Sequence, residues 1–250
     1  MYSTIMKKTI VLFLISLFML QSCSINSEII YHKDAASTSV TDIDTREFMA
    51  EMKAMTPDSL KEKEFGDMDK LPTAWTSIYD LEKQEGKLKT TNPDSIRIMK
   101  KIFMKSKKEN NEPAGFSFKM EHFVSEDYKA LENFTKHEKL PLDQNIFNNW
   151  DGKTLTINTD NFNLKNIEET LRTKSLKEET EKIEGMMTMF FKNIGTTLKF
   201  ENKIKSISGK HDWLKQVDDH SLRIEYDLKA MYDQDAKFKN ADKKIVIVTE

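Results

Sequence analysis

Apolar and polar residues alternate with a period of two in several short stretches of the chain. Such alternation is typical of β-strands with one buried face. Two pairs of these stretches flank turn-like segments and are predicted to form β-hairpins, one around 105–114 and one around 218–220. The predicted strands cover residues 28–33, 36–43, 96–104, 116–120, 155–157, 195–207, 213–217, 222–228 and 245–248.

Other stretches repeat apolar residues at helical spacing. They predict helices from Asp44 or Thr45 to Pro57, over 72–86 and over 125–134. The longest predicted helix covers 164–194, either as one helix or as two joined near residue 174. Its methionine-rich part, 185–191, is interpreted as core.

Together these elements predict an α+β fold. Its sheet is expected to be largely antiparallel and built from hairpins, because the strands do not follow regular βαβ spacing. Several helices, including the long one near 164–194, are expected to pack on this sheet.

The apolar run from Thr9 to Leu20 indicates export. Lys7 and Lys8 precede it, as in the positively charged n-region of a signal peptide. As a helix the run would rise about 18 Å, which is less than the roughly 30 Å of hydrocarbon in a bilayer. Residues 1–22 are therefore predicted to be a cleaved signal peptide.

The segment Leu20-Gln21-Ser22-Cys23 ends at the only cysteine of the chain. It resembles the lipobox of bacterial lipoproteins, with Gln21 as its one departure from the usual pattern. The resemblance implies cleavage before Cys23 and acylation of Cys23, with enough acyl chains for stable anchoring to a membrane. Residues 23–28 would then be a short lipidated tether and 29–250 a globular domain that could divide near 135–150.

Composition narrows the set of partners. Removal of residues 1–22 from the 250-residue chain leaves 228 residues and changes the formal charge from −2 to −4, because Lys7 and Lys8 are lost. An acidic, exported chain is a poor candidate for binding nucleic acid. With its only cysteine acylated, the mature chain would have no disulfide. The content of hydrophobic residues, 38%, is sufficient for a folded core.

The sequence shows no recognisable metal site. Asp42-x-Asp44 and Asp233-x-Asp235 lack the turn glycine and the bidentate glutamate of a calcium loop. No metal or other cofactor is predicted. The five histidines, at positions 32, 122, 137, 211 and 220, form no local ligand set.

Catalytic motifs are also missing from the sequence. It has no nucleophile turn, phosphate-cradling loop or dinucleotide fingerprint. The paired acids Glu168/Glu169, Glu178/Glu179 and Asp218/Asp219 are interpreted as solvated. No catalytic residue is predicted, so the chain is more consistent with a non-enzyme.

Two longer segments carry a family resemblance. Gly195 to Trp213 with Leu222 to Leu228, and the opening Tyr31-His32-Lys33-Asp34-Ala35-Ala36, resemble a lipoprotein family of the Bacteroidota. That resemblance implies no catalytic residues. The C-terminal strand-turn-strand part is also similar to the LppM-type lipoprotein domain, which implies an α+β module.

The leading hypothesis is a membrane-anchored lipoprotein with a non-catalytic binding or envelope-structural role. Its expected partners are the membrane, through lipid on Cys23, and an unknown envelope protein or ligand. Because only Glu28 is acidic in the segment after Cys23, the periplasmic side of the outer membrane is favoured over the cell surface. The alternatives are a hydrolase of envelope or extracellular polymers and a carrier of lipid or another apolar ligand beneath the helix at 183–194.

Overall fold

A computed structural model describes residues 23–46, 71–134, 149–162, 191–228, 230 and 238–250. This part of the chain is mostly β-sheet. Its strands are β1 (Cys23–Tyr31), β2 (Ser37–Asp44), β3 (Thr76–Ser77), β4 (Ile102–Glu109), β5 (Glu112–Phe123), β6 (Thr154–Asn158), β7 (Phe191–Phe200), β8 (Ile204–Ser208), β9 (Leu214–Gln216), β10 (Ser221–Glu225) and β11 (Lys244–Thr249). Its α-helices are α1 (Ile78–Gln84), α2 (Pro93–Lys101) and α3 (Ser125–Phe134).

The strands form two sheets. The large sheet has eight strands in the order β3-β4-β5-β2-β1-β7-β10-β9, and the small sheet has three in the order β6-β11-β8. All pairs are antiparallel except β1 with β7, whose parallel register joins Cys23 to Phe191 and Tyr31 to Phe200. The large sheet is therefore mixed.

The predicted α+β fold class is wrong. Strands predominate over helices in the described residues, and the three helices there have only 7, 9 and 10 residues. Residues 191–194, predicted as the end of a long helix, begin strand β7 because their backbone pairs with β1, and β10 pairs with β7 from Gly195 onward. The rest of the predicted long helix lies outside the described residues.

Both predicted hairpins are confirmed. Strands β4 and β5 pair from Ile102 with Met120 to Glu109 with Glu112. Asn110 and Asn111 form their two-residue turn, and both have positive φ, as the tight turns that suit twisted strands require. Strands β9 and β10 form the second hairpin.

One predicted strand contains a helix instead. Residues 93–101 form α2, whose N-cap is Asn92: its side chain accepts hydrogen bonds from the backbone N–H groups of Asp94 and Ser95. Pro93 occupies the first turn, where its missing N–H costs nothing. The same Asn-Pro pair that suggests a turn before a strand is thus a helix start here. In the predicted helix at 72–86, only Ile78–Gln84 is α-helical.

The main core lies between the two sheets. Ile29, Leu198 and Leu222 of the large sheet face the small sheet, where Leu155 and Ile247 are fully buried. Tyr31 stacks on Phe200 with ring centroids 5.0 Å apart, and the Trp150 indole lies against both. This alternation of buried and exposed residues is what the sequence pattern predicts for each strand.

A second cluster joins α2 and α3 to the large sheet. Ile98 packs with Phe123, Tyr128 and Leu131. Beside it lies a buried carboxylate, Asp127, which contacts the Arg97 guanidinium and lies 2.5 Å from the Lys101 Nζ. We call Arg97, Lys101 and Asp127 the helix junction.

The opposite face of the large sheet is polar and carries paired charges. Lys199 on β7 lies 2.7 Å from Glu28 on β1, and Lys107 on β4 lies 2.8 Å from Asp42 on β2. The candidate site lies on this face. Within the described ranges no helix is long and apolar enough to cross a bilayer.

Candidate functional site

A polar groove of about 490 Å³ opens on the polar face of the large sheet, at the start of β1 and β7. We call it the Arg223 groove. Its walls come from strands that are far apart in sequence. It is lined by Ser24, Asn26, Asn193, Ile194, Asp212, Trp213, Lys215, Arg223, Glu225, Tyr226 and Asp227.

Strand alternation explains why these side chains share the groove. On β10, Leu222 and Ile224 are fully buried against the core, so Arg223 and Glu225 point to the other face. The register places Arg223 opposite Thr197 and Glu225 opposite Gly195 on β7. Gly195 is in turn opposite Asn26 on β1. Arg223 therefore sits one row away from Asn26.

The guanidinium of Arg223 reaches across β7 and is held by neutral groups. Its Nη1 donates to the Thr197 hydroxyl at 2.9 Å, and its Nη2 donates to Oδ1 of Asn26 at 2.8 Å. Glu225 approaches Nε at 3.6 Å, which is an ion pair but too long for a hydrogen bond. A guanidinium has five N–H donors, so this arrangement leaves donors for a ligand.

Gly195 makes this position of Arg223 possible. A Cβ atom on Gly195 would lie 2.3 Å from Nη2 and 2.7 Å from Cζ of Arg223. No other residue type leaves room for the guanidinium to lie flat on the sheet. A glycine inside a strand often marks such a close approach.

Lys215 adds a second positive charge. It lies directly opposite Arg223 in the pairing of β9 with β10. Like charges directly opposite each other destabilise a sheet, and no carboxylate forms an ion pair with Lys215 among the residues that the structure describes. A bound anion would relieve the repulsion between the two cations.

The other end of the groove is acidic. Asp212 accepts hydrogen bonds from the backbone N–H groups of Lys239 and Asn240 and from the Asn240 amide. The Asn240 amide is the main cause that lowers the pKa of Asp212, so this carboxyl is charged at neutral pH. Asp227 accepts a hydrogen bond from the backbone N–H of Ala230.

Two of the lining residues, Trp213 and Tyr226, are aromatic, and the rings of both contact Phe162 of the main core. Trp213 and Tyr226 line the groove with ring centroids 5.5 Å apart, and burial raises the pKa of Tyr226. Behind Trp213 lies His211, whose Nδ1 accepts a hydrogen bond from the Trp213 backbone N–H at 3.2 Å. Phe162 and Phe238 flank the imidazole, and burial lowers the pKa of His211.

Cys23, the predicted lipidation site, is the first residue of β1. The predicted tether at 23–28 is therefore strand, and the fold begins at the cysteine itself. The Cys23 side chain is 6% exposed. Cys23 pairs with Phe191 of β7, the register shifts between Cys23 and Ser24, and the pairing of β1 with β2 begins at Ser24. Ser24 lines the Arg223 groove.

The fold brings two histidines together that the sequence keeps apart. The rings of His32 and His122 have centroids 5.3 Å apart. His32 Nδ1 lies 2.8 Å from Glu201, and His122 Nε2 lies 3.0 Å from Asp34. The His32 hydrogen bond is the main cause that lowers the pKa of Glu201. These contacts pair each histidine with a carboxylate at the surface.

The acids weighed for calcium have cationic partners. Asp42 lies 2.8 Å from Lys107, and Asp44 lies 2.6 Å from Arg46. Asp218, Asp219 and His220 come close together in the exposed turn between β9 and β10, where Lys203 pairs with Asp219. The remaining candidates lie outside the described residues: Asp233, Asp235, Glu168, Glu169, Glu178, Glu179 and the segment 185–190.

Sequence reasoning missed the Arg223 groove. Two signals for it were present: the glycine at 195 within a strand pattern, and the outward positions of Arg223 and Glu225 in a strictly alternating strand. Neither signal shows that Asn26 and Lys215 are neighbours of Arg223, because these residues lie on three different strands.

Comparison with known proteins assigns no family. The chain matches no protein-family model and no curated sequence. Among solved structures it is similar to the folded domain of the Mycobacterium tuberculosis LppM protein, determined by NMR, with 9% identity over 92% of each chain and a TM-score of 0.38. A TM-score of this size does not establish a common fold.

Proposed function

We propose that this chain is a membrane-anchored lipoprotein with a non-catalytic binding role. Lipid on Cys23 anchors it in the cell envelope, on the periplasmic side of the outer membrane, and the Arg223 groove receives the ligand. The observation that carries the binding role is the preorganised guanidinium of Arg223, which Thr197 and Asn26 hold in the row of a second cation, Lys215.

The position of Cys23 supports anchoring at this end of the fold. An acyl chain on Sγ requires the first residue of β1 to leave the buried face. This opening is confined to one end of the strand, because Cys23 is the terminal residue of β1 and the pairing of β1 with β2 begins at Ser24. Neighbouring Cα atoms are about 3.8 Å apart, so an anchor at Cys23 holds the groove residue Ser24 close to the membrane surface.

Palmitate labelling in the native bacterium tests the anchor. We expect the wild-type chain to incorporate label and to require detergent for extraction, and Cys23→Ser to incorporate none. The matched control is Cys23→Ser with Ser24→Cys, which keeps one thiol but moves it by one position. It should stay unlabelled, because cleavage is expected directly after Ser22.

Three results would contradict the anchor. They are label retained in Cys23→Ser, a mature chain that begins upstream of residue 23, and a wild-type protein that remains in water without detergent.

A further inference from the structure

Arg223 and Lys215 lie toward one end of the Arg223 groove and Asp212 and Asp227 toward the other, while Glu225 lies between these ends, 3.6 Å from the Arg223 Nε. Register places Arg223 and Lys215 in one row across β9 and β10. Asp227 follows β10 by two residues, and Asp212 precedes β9 by two residues. Because β9 and β10 are antiparallel, both acids lie toward the start of β7: Asp227 is four residues, about 13 Å, from Arg223, and Asp212 is three residues, about 10 Å, from Lys215.

The reach of Arg223 shortens this separation. Its guanidinium extends over Gly195 toward Asn26, which is one row closer to the acidic end. The groove thus offers positive donors at one end and carboxylates at the other. A carboxylate attracts an ammonium group through its opposite charge.

We propose that the Arg223 groove binds a small phosphorylated amine, with the phosphate against Arg223 and Lys215 and the ammonium group toward Asp227. This inference rests on the proposed binding function and names its ligand class. A phosphate monoester carries about −1.5 to −2 charges at pH 7, which matches two cations better than a carboxylate does. The Asn26 amide accepts from Arg223 through Oδ1, so its Nδ2 is directed away as a further donor to the phosphate.

The direction of the groove favours a soluble ligand over a phospholipid headgroup. In a headgroup the phosphate carries the glycerol and its acyl chains. Bound as proposed, that ester would leave the groove at the Lys215 end, whereas Cys23 and its membrane anchor lie beside Ser24 at the opposite, acidic end. Free phosphoethanolamine is therefore the probe of choice.

Calorimetric titration of the native protein in detergent tests the proposal with three probes. We expect phosphoethanolamine to bind, inorganic phosphate to bind about tenfold more weakly, and ethanolamine alone to show no measurable binding. Vesicles of phosphatidylethanolamine form a second arm: they should not compete with phosphoethanolamine, and competition would identify a headgroup as the source of the same chemistry.

Variants at the two ends of the groove should affect the binding of the two ligands differently. Arg223→Gln should weaken both phosphoethanolamine and inorganic phosphate at least about tenfold. Asp227→Asn keeps an acceptor for the Ala230 N–H but loses the charge, so it should weaken phosphoethanolamine and leave phosphate binding unchanged or stronger. The matched control is Lys199→Gln, a cation of the same sheet face that pairs with Glu28 outside the groove; it should change neither affinity.

Absence of binding by all probes, or equal binding by wild type and Arg223→Gln, would overturn the proposal. Equal loss of both ligands in Asp227→Asn would overturn the assigned orientation. Palmitate labelling is measured separately, so a chain that keeps its lipid but binds no phosphoethanolamine would contradict the proposed ligand and not the proposed anchor. A chain that binds phosphoethanolamine but carries no lipid would contradict the proposed anchor and not the proposed ligand.

Discussion

The helix junction and the Arg223 groove each bring two cations together, but they treat the charges in opposite ways. At the helix junction, Arg97 and Lys101 converge on Asp127, whose side chain is completely buried. In the groove, Arg223 and Lys215 face each other across two strands, and the hydrogen bonds that hold Arg223 come from a hydroxyl and an amide.

This difference indicates that the charges of the helix junction stabilise the fold and that those of the groove bind a ligand. A buried carboxylate between two cations stabilises the contact of α2 with α3, and its charge is fully used within the fold. At Arg223 the hydrogen bonds come from neutral groups, and Glu225 lies 3.6 Å from Nε, beyond hydrogen-bond distance, so N–H donors remain for a ligand. Removing a charge at the helix junction should therefore reduce stability, and removing one in the groove should reduce binding.

The largest expected effect is at the helix junction. Asp127→Asn keeps the shape of the side chain and an acceptor for the Val124 N–H, but removes the charge between Arg97 and Lys101. We expect the free energy of unfolding to fall by about 3 kcal/mol, the low end for a broken buried ion pair, because both cations can turn toward water. Urea unfolding followed by tryptophan fluorescence measures the change.

The control for this prediction is Asp94→Asn. Asp94 also pairs with Arg97, at 3.2 Å, but it is exposed on the first turn of α2. Its loss should change the free energy of unfolding by less than about 0.5 kcal/mol. Equal effects of the two variants would show that burial does not distinguish the helix junction from an ordinary surface pair.

The next effect separates binding from stability within the groove. Gly195→Ala places a Cβ where the Arg223 guanidinium lies, and the flexible side chain can swing away. We expect the affinity for phosphoethanolamine to fall about tenfold, since a charge-assisted bond is lost. The free energy of unfolding should change by less than about 1 kcal/mol.

Gly209→Ala is the reciprocal control. Gly209 has a φ of +88°, and an added Cβ would lie 2.3 Å from the backbone oxygen of Lys244, which cannot swing away. We expect a loss of more than about 1 kcal/mol in stability with unchanged affinity. If Gly195→Ala instead lost stability and kept its affinity, the position of Arg223 over Gly195 would serve to stabilise the fold and not to bind a ligand.

The same contrast explains what the sequence could predict. Each hairpin joins strands that are neighbours in the chain, so a local pattern and a turn predict both partners. The pairing of β1 with β7 joins residues 23–31 to residues 191–200, and no local pattern indicates such a distant parallel partner. The fold class was wrong because this long-range pairing, and not helix packing, organises the large sheet.

The site was harder to predict than the strands. Alternation shows that Arg223 faces away from Leu222 and Ile224, but many surface residues have that pattern. What distinguishes Arg223 is Gly195 beneath it and Asn26 beyond it, and both depend on the order of strands in the sheet. The position of Cys23 could be read from the chain, but the start of β1 at that residue could not.

The smallest expected effect concerns His211, whose ring contacts that of the groove residue Trp213, and it depends on pH. Burial lowers the pKa of His211 below its ordinary value of 6.5, although the neighbouring Asp212 acts in the opposite direction. Phe162, Trp213 and Phe238 surround the ring, so the folded state holds it neutral. As the pH falls below 6.5, the unfolded chain takes up a proton that the folded chain resists. The free energy of unfolding must therefore decrease from this pH downward.

His211→Asn tests this pH dependence, because asparagine can place an oxygen near Nδ1 to accept from the Trp213 N–H while removing the titrating group. We expect the variant to lose the decrease in stability that begins near pH 6.5. It should keep the decrease at lower pH that comes from carboxyls with lowered pKa values, such as Asp44 beside Arg46 and Asp212 beside Asn240. Urea unfolding at a series of pH values resolves the two parts. An unchanged profile in the variant would contradict the prediction, because it would show that the burial of His211 does not make the stability of the fold depend on pH.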